Sequence, residues 1–160
     1  MKLYHGSYCR VRKPNLSRCR ANTDFGKGFY TTTNYEQAVK WAKIIQERQG
    51  VDKSFVSVYE IDDDILEKDY KIKTFNKPTK EWLDFVSYNR DGLIAPNCDI
   101  VKGPVADDKV YVVLPLYKRN AITAEAAISQ LKPEKLFDQL SFHSINGLKE
   151  LRFIKSIEIK

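Results

Sequence analysis

The chain has 160 residues, 42% of them hydrophobic, with 9 Tyr, 8 Phe and 2 Trp, and a formal net charge of +6. That is enough apolar material for a single domain spanning residues 1–160, which excludes a disordered chain and a fold that needs metal or disulfides to close. Nine of the Lys and Arg residues fall in the first 43 positions: Lys2, Arg10, Arg12, Lys13, Arg18, Arg20, Lys27, Lys40 and Lys43. A basic third of this kind suits nucleic acid, a phosphate-bearing cofactor or an acidic protein, and is equally compatible with a plain solvated face. Cys9, Cys19 and Cys98 are odd in number and follow no zinc spacing. No apolar leader follows Met1 and no apolar run approaches 18 residues, so the expectation is a soluble cytoplasmic protein without a metal or a membrane partner.

Along the chain, "KLYHGS" reads as a short strand ended by Gly6 and Ser7. Val11 to Thr23, with Pro14 and four basic residues, reads as a surface loop. Asn34 is a candidate N-cap with Gln37 three residues on, and Tyr35, Ala38, Val39, Ala42 and Ile45 then fall on one helical face until Gly50. "SFVSVYEI", Ser54 to Ile61, is rich in branched and aromatic residues and reads as a strand. Asp62, Asp63 and Asp64 lack the spacing of a calcium loop and read as a solvated turn. A strand near Lys71 to Phe75 precedes a helix from about Pro78 to Arg90, whose Trp82, Leu83, Phe85 and Val86 have helical spacing. Strands are expected at Asp99 to Lys102 and at Val110 to Tyr117, then a small helix from Thr123 to Leu131. "DQLSFHS" starts another strand, a helical piece surrounds Gly147 to Leu151, and Phe153 to Ile159 is a last strand. Short strands and helices without regular βαβ alternation predict an α+β fold on antiparallel sheets.

Chemistry-bearing residues are few. The only histidines, His5 and His143, have neither an i,i+4 partner nor neighbouring cysteines, so neither marks a zinc site. Either could simply satisfy a backbone carbonyl. Cys98 with a histidine is a conceivable thiol pair, though no local signature marks it. Gly26-Lys27-Gly28 lacks both the dinucleotide-binding spacing and the Ser or Thr that follows a P-loop lysine. Tyr30 follows Gly28 by two, and Trp41, at the flank of the apolar stripe, could pack against a bound ring or serve as core filler.

The stretches "LYHGS", "DFGKGFYTTTNYEQAVKWA", "KEWLDFV", "DIVKGPVADDKVY", "ITAEAAI" and "DQLSFHS" resemble, across nearly the whole chain, a bacterial family called domain of unknown function 3990 (DUF3990). "HGS", "GKGFY" and a later aromatic further resemble the ADP-ribosyltransferase superfamily, in its diphtheria-toxin and poly(ADP-ribose) polymerase branch. The resemblance implies an ADP-ribosyltransferase-like α+β domain, with antiparallel strands in split sheets around an NAD-type cleft and helices at its flanks. It implies a catalytic His5, Tyr30 and Gln139. His5 would bond the nicotinamide-side ribose, Gly6 would offer its backbone to the carboxamide with Ser7 beside it, and Tyr30 and Trp41 would wall the nicotinamide slot. Ala38 takes the place of a small hydroxyl residue, and Gln139 takes the place where the superfamily commonly has Glu.

That last difference has chemical weight. Cleaving the nicotinamide–ribose bond builds positive charge on the sugar, which a carboxylate stabilises and a neutral amide does not. Nor can Gln139 deprotonate an acceptor, so a base would come from elsewhere; Asp107 and Asp108 are candidates, Asp138 points to the other strand face, and Glu125 lies in a helix. Three readings follow: NAD used as substrate to ADP-ribosylate a protein or nucleic acid acceptor, in toxin-like or regulatory biology; a module that binds NAD or ADP-ribose without turnover; or a basic nucleic-acid-binding or interaction protein.

Overall fold

Branched and aromatic residues set the strands, and the computed structural model describes residues 1–93, 97–106, 109–131 and 137–160. Strands β1 (Lys2–Ser7), β2 (Phe29–Thr32), β3 (Ser54–Glu60), β4 (Ile72–Thr74), β5 (Ile100–Pro104), β6 (Asp138–Phe142) and β7 (Arg152–Ile159) form an open sheet. Their order is β4-β5-β6-β2-β1-β3-β7. Every pair is antiparallel except β4 with β5. The expected separate antiparallel sheets are therefore corrected to one mixed sheet. The parallel pair arises because a helix, not a hairpin, connects β4 to β5.

Among the described residues five α-helices complete the α+β fold: α1 (Tyr35–Gln49), α2 (Lys80–Arg90), α3 (Val110–Lys118), α4 (Ala124–Gln130) and α5 (Ile145–Lys149). Helix α1 begins and ends where its sequence says it should. Asn34 Oδ1 accepts the Gln37 N–H at 2.9 Å, and Gly50 closes the helix at φ 62°. The expected capping box is rerouted, however. Gln37 Oε1 accepts from the Thr32 hydroxyl at 2.7 Å, and that hydroxyl accepts the Asn34 N–H at 3.1 Å. The end of β2 is thereby tied to the start of α1.

The stretch from Val110 to Tyr117 is helical, against the strand expected from its valines. Val110, Val113 and Leu114 are buried while Tyr111 and Val112 face outward, a helical rather than an alternating pattern. Packing of that face against Ala124 and Ala127 of α4 overrides the β-propensity of the branched residues.

Alternation along the strands divides the core. On one face, Ala38 and Ala42 of α1 pack on Val56, and Phe25, Phe75, Trp82, Val86 and Val101 join α3 and α4 in a larger cluster. On the other, Leu3, Phe29, Tyr59, Ile100, Leu140 and Phe142 pack together with Ile61 and Ile65. The Asp62 turn is an ion-pair anchor: Lys68 Nζ donates to Asp62 at 2.7 Å and to Glu150 at 2.8 Å, and Arg152 reaches Asp62 at 2.9 Å. Hydrogen bonds from Lys68 and Arg152 hold the Asp62 carboxyl below its ordinary pKa.

Candidate functional site

The sheet is weakest in its middle. β1 and β2 share one registered pair, Tyr4 with Thr32, whereas β1 pairs with β3 over all six of its residues. Continued antiparallel pairing would set His5 against Thr31 and Gly6 against Tyr30, and neither pair forms. In its place the His5 ring bridges the parting strands, with Nδ1 2.7 Å from the Tyr30 carbonyl. A carbonyl can only accept, so Nδ1 carries the hydrogen and Nε2 is left with its lone pair. Burial pushes the His5 pKa down to about 4, against the opposing pull of the Tyr30 carbonyl. The imidazole is therefore neutral at pH 7, packed against Phe29 with ring centroids 4.2 Å apart and the planes tilted by 33°.

Tyr30 is the other half of this junction. Its hydroxyl donates to Gly26 O at 2.7 Å and accepts the Phe25 N–H at 2.8 Å, with the Thr23 hydroxyl 3.0 Å away. Burial raises its pKa, so it stays a neutral phenol that pins the turn before β2. Its ring stacks near Phe25 and meets His143 edge-on at 6.2 Å. His143 Nδ1 sits 2.8 Å from Lys27 O and Nε2 2.7 Å from Ser141 Oγ. A Cβ on Gly28 would stand 2.6 Å from that ring, so Gly28 must be bare for His143 to enter. Two histidines thus hold the carbonyls at either end of "KGFY".

Gln139 lies opposite Thr32 in β6, and Tyr30 opposite Ser141, so Tyr30 and Gln139 share a face at a diagonal spacing of about 7–8 Å. His5 belongs to the opposite face by alternation, two strands from Gln139 and roughly 10 Å across the sheet. Among the described residues no hydrogen bond or ring contact joins Gln139 to His5 or Tyr30. The Gln139 amide instead donates to Asp24 Oδ2 at 2.9 Å and, more weakly, to Pro104 O at 3.3 Å. Asp24 is buried, paired with Arg90 at 2.6 Å, and accepts the Ala106 N–H at 3.1 Å. A carboxylate therefore does stand beside Gln139, but it comes from the turn before β2.

The family described as "Protein of unknown function (DUF3990)" matches residues 1–153. The chain belongs to that family. No curated protein and no solved structure matches it.

In this DUF3990 chain the remaining predicted site residues have visible structural duties. A Cβ on Gly6 would fall 2.2 Å from Ala38 O and 2.8 Å from Ala42 N, so Gly6 is where β1 presses against α1. Ala38 is buried in that contact. Ser7 Oγ accepts the Cys9 N–H at 3.5 Å. Trp41, 41% exposed, flanks the buried stripe of α1 beneath the Arg48 guanidinium. Burial raises the Cys98 thiol pKa, and no histidine reaches it, which is the wrong environment for a thiolate nucleophile. Glu125 is exposed on α4, and Asp107 and Asp108 lie outside the described residues.

Sequence reasoning passed over Asp24, Arg90 and Ser141, whereas His143 takes the role weighed for it, satisfying a backbone carbonyl at Lys27. Asp24 opens the stretch "DFGKGFY", but its partners lie 66 and 115 residues away. Among the described residues no three His, Cys, Asp or Glu side chains gather as metal ligands, and no helix is long and apolar enough to cross a membrane. A cavity of about 420 Å³ between α2 and the end of α3 is bordered by Lys80, Asp84, Tyr88, Tyr117 and Lys118, away from His5, Tyr30 and Gln139.

Proposed function

We propose that this DUF3990 chain is an NAD-dependent ADP-ribosyltransferase acting on a macromolecule, protein or nucleic acid. The observation that carries the reading is the His5 bridge at the parting of β1 and β2. It leaves a neutral imidazole with an acceptor nitrogen at the place where β1 and β2 share one registered pair. Such a nitrogen suits a ribose hydroxyl, and the superfamily resemblance assigns the carboxamide of nicotinamide to the backbone of Gly6. In the reaction the bond from the ribose C1′ to nicotinamide breaks, the acceptor bonds to C1′, and the acceptor proton leaves to a base or to water. Gln139, on the opposite sheet face from His5, would reach NAD through its carbonyl oxygen, since its NH₂ is held by Asp24 and Pro104, and would meet a part of it other than the hydroxyl bound by His5. Asp24 would contribute negative potential behind it, attenuated by Arg90.

The second reading, an NAD or ADP-ribose binding module without transfer, is favoured by one specific observation. The Gln139 amide and the Tyr30 hydroxyl are both already engaged by protein groups. Labelled NAD incubated with whole-cell lysate, then with protease or nuclease, separates the two. Label transferred by wild type and lost in Gln139→Ala, with the fold intact, supports the transferase. NAD binding by calorimetry without transfer supports the module, and absence of both rejects the NAD reading.

A further inference from the structure

A different surface lies at the β7 edge of the sheet. Val11 is held twice by β3: its N–H donates to Ser57 Oγ at 3.1 Å, and its carbonyl accepts from the Tyr59 hydroxyl. These bonds fix the start of the basic loop, so Arg10 and Arg12, on either side of Val11, are placed rather than free to wander. Between them and β7 is a cavity of about 270 Å³ lined by Arg10, Arg12, Phe153, Ile154, Lys155 and Ser156. Three cations and no carboxylate line it. The nearby Glu158 is engaged by Lys53 at 3.0 Å and lies 3.9 Å from Arg10, whose guanidinium also sits 5.0 Å from the centre of the Phe55 ring. Arg12 and Lys155 have no acidic partner among the described residues.

We propose that this groove binds the phosphodiester backbone of a nucleic acid. Its volume lies below the roughly 300–1,000 Å³ of sites that enclose a whole small molecule, and suits a phosphate or a single nucleotide unit. Lys13, Arg18 and Arg20 carry the positive charge onward along the same loop, which matches a repeating polyanion better than one isolated anion. An acidic peptide adding an eighth strand is the poorer occupant. The β3–β7 pairing shifts register between Val58 and Tyr59, and Lys155 and Glu158 stud the edge strand, features that discourage strand addition. The site stands whether or not the chain turns over NAD.

The test is fluorescence anisotropy without NAD, using a labelled 20-nucleotide strand, its duplex and a labelled poly-glutamate peptide. Wild type binds a nucleic acid probe with salt-dependent affinity and binds poly-glutamate at least ~10-fold more weakly. Arg12→Gln with Lys155→Gln, its melting temperature unchanged, weakens nucleic acid binding ~10-fold or more and flattens the log affinity against log salt slope by about 1–2. Lys40→Gln with Lys43→Gln, an equal charge loss on α1, changes it less than ~3-fold, and Arg12→Lys with Lys155→Arg retains it. Absent binding, equal or tighter binding of poly-glutamate, or an equal loss in the α1 variant overturns the proposal.

Discussion

Gln139 shows how the groups around a buried amide fix which way it faces. Its NH₂ group faces two oxygens, Asp24 Oδ2 and Pro104 O, so an amide is the group that fits. Gln139→Glu would set a carboxylate against a buried carboxylate and a carbonyl, with no donor between them. The introduced acid would have a folded pKa above its unfolded value near 4.3, so the variant's deficit relative to wild type appears as pH rises above that value. A loss of roughly 1–3 kcal/mol at pH 7, shrinking towards pH 4 and partly recovered in Asp24→Asn with Gln139→Glu, is expected in urea melts. A deficit that does not change with pH would show that the amide is not oriented by Asp24. His5 makes a separate prediction. Its folded pKa of about 4 lies below the ordinary 6.5, mainly because burial disfavours the charge. Between those values the unfolded chain holds a proton that the folded chain does not. Stability is complete above about pH 6.5 and falls by up to ~3 kcal/mol as pH drops to about 4. His143 is shifted in the same direction by burial, so His5→Gln should reduce the pH slope without abolishing it. Stability measured by urea at half-unit pH steps from 4 to 7 checks both parts.

At the level of elements, the glycines separate contact from conformation. Gly6 would place a Cβ into backbone atoms of α1, which cannot move without lifting the helix from β1; Gly50 has open space but φ 62°. Gly6→Ala should therefore cost about 3 kcal/mol or more, and Gly50→Ala about 1 kcal/mol, in the urea midpoint. Equal effects would mean that α1 is not seated on β1 as described. On the flank of the same helix, Trp41→Ala should cost under ~1 kcal/mol of stability, because the indole is exposed; under the transferase reading it should still weaken NAD binding by roughly 1–3 kcal/mol in calorimetry. Much of the strand and helix pattern was legible because local signals agreed with tertiary burial: Asn34 caps, Gly50 stops, and "SFVSVYE" has the composition of a buried strand. Helix α3 was not, because its valines favour strands and only the burial of Val110, Val113 and Leu114 reveals the helical face. Pro115 within it removes just one bond, from its own position to Tyr111 O. At the candidate site the strand "KLYHGS" that carries His5 and Gly6 was legible, but the Asp24–Gln139–Arg90 group joins three distant segments that no local spacing announces.

At the scale of the molecule, the sheet parts in the middle while its core does not. One half holds β1, β3, β7 and α1, the other β2, β4, β5 and β6 with α2, α3 and α4, and one registered pair links the two. If the backbone ladder decided cooperativity, this seam would be a domain boundary. The side chains argue otherwise. Leu3 and Tyr59 from the first half pack in the same buried cluster as Phe29, Ile100, Leu140 and Phe142 from the second, and large apolar groups shared across a seam make each half expensive to keep folded alone. The two tryptophans test this, since Trp41 lies on α1 and Trp82 is buried in α2, donating to Pro104 O at 3.1 Å. In Trp41→Phe, fluorescence reports Trp82 and hence the second half, while far-UV circular dichroism reports the whole chain. The two urea transitions should share one midpoint and one slope, as a single cooperative unit requires. Leu3→Ala, which removes a buried side chain from the first half only, should then lower the Trp82 midpoint by the equivalent of about 2–5 kcal/mol. A Trp82 transition unmoved by Leu3→Ala would show that the halves unfold separately, and would make the β1–β2 seam a hinge between two units.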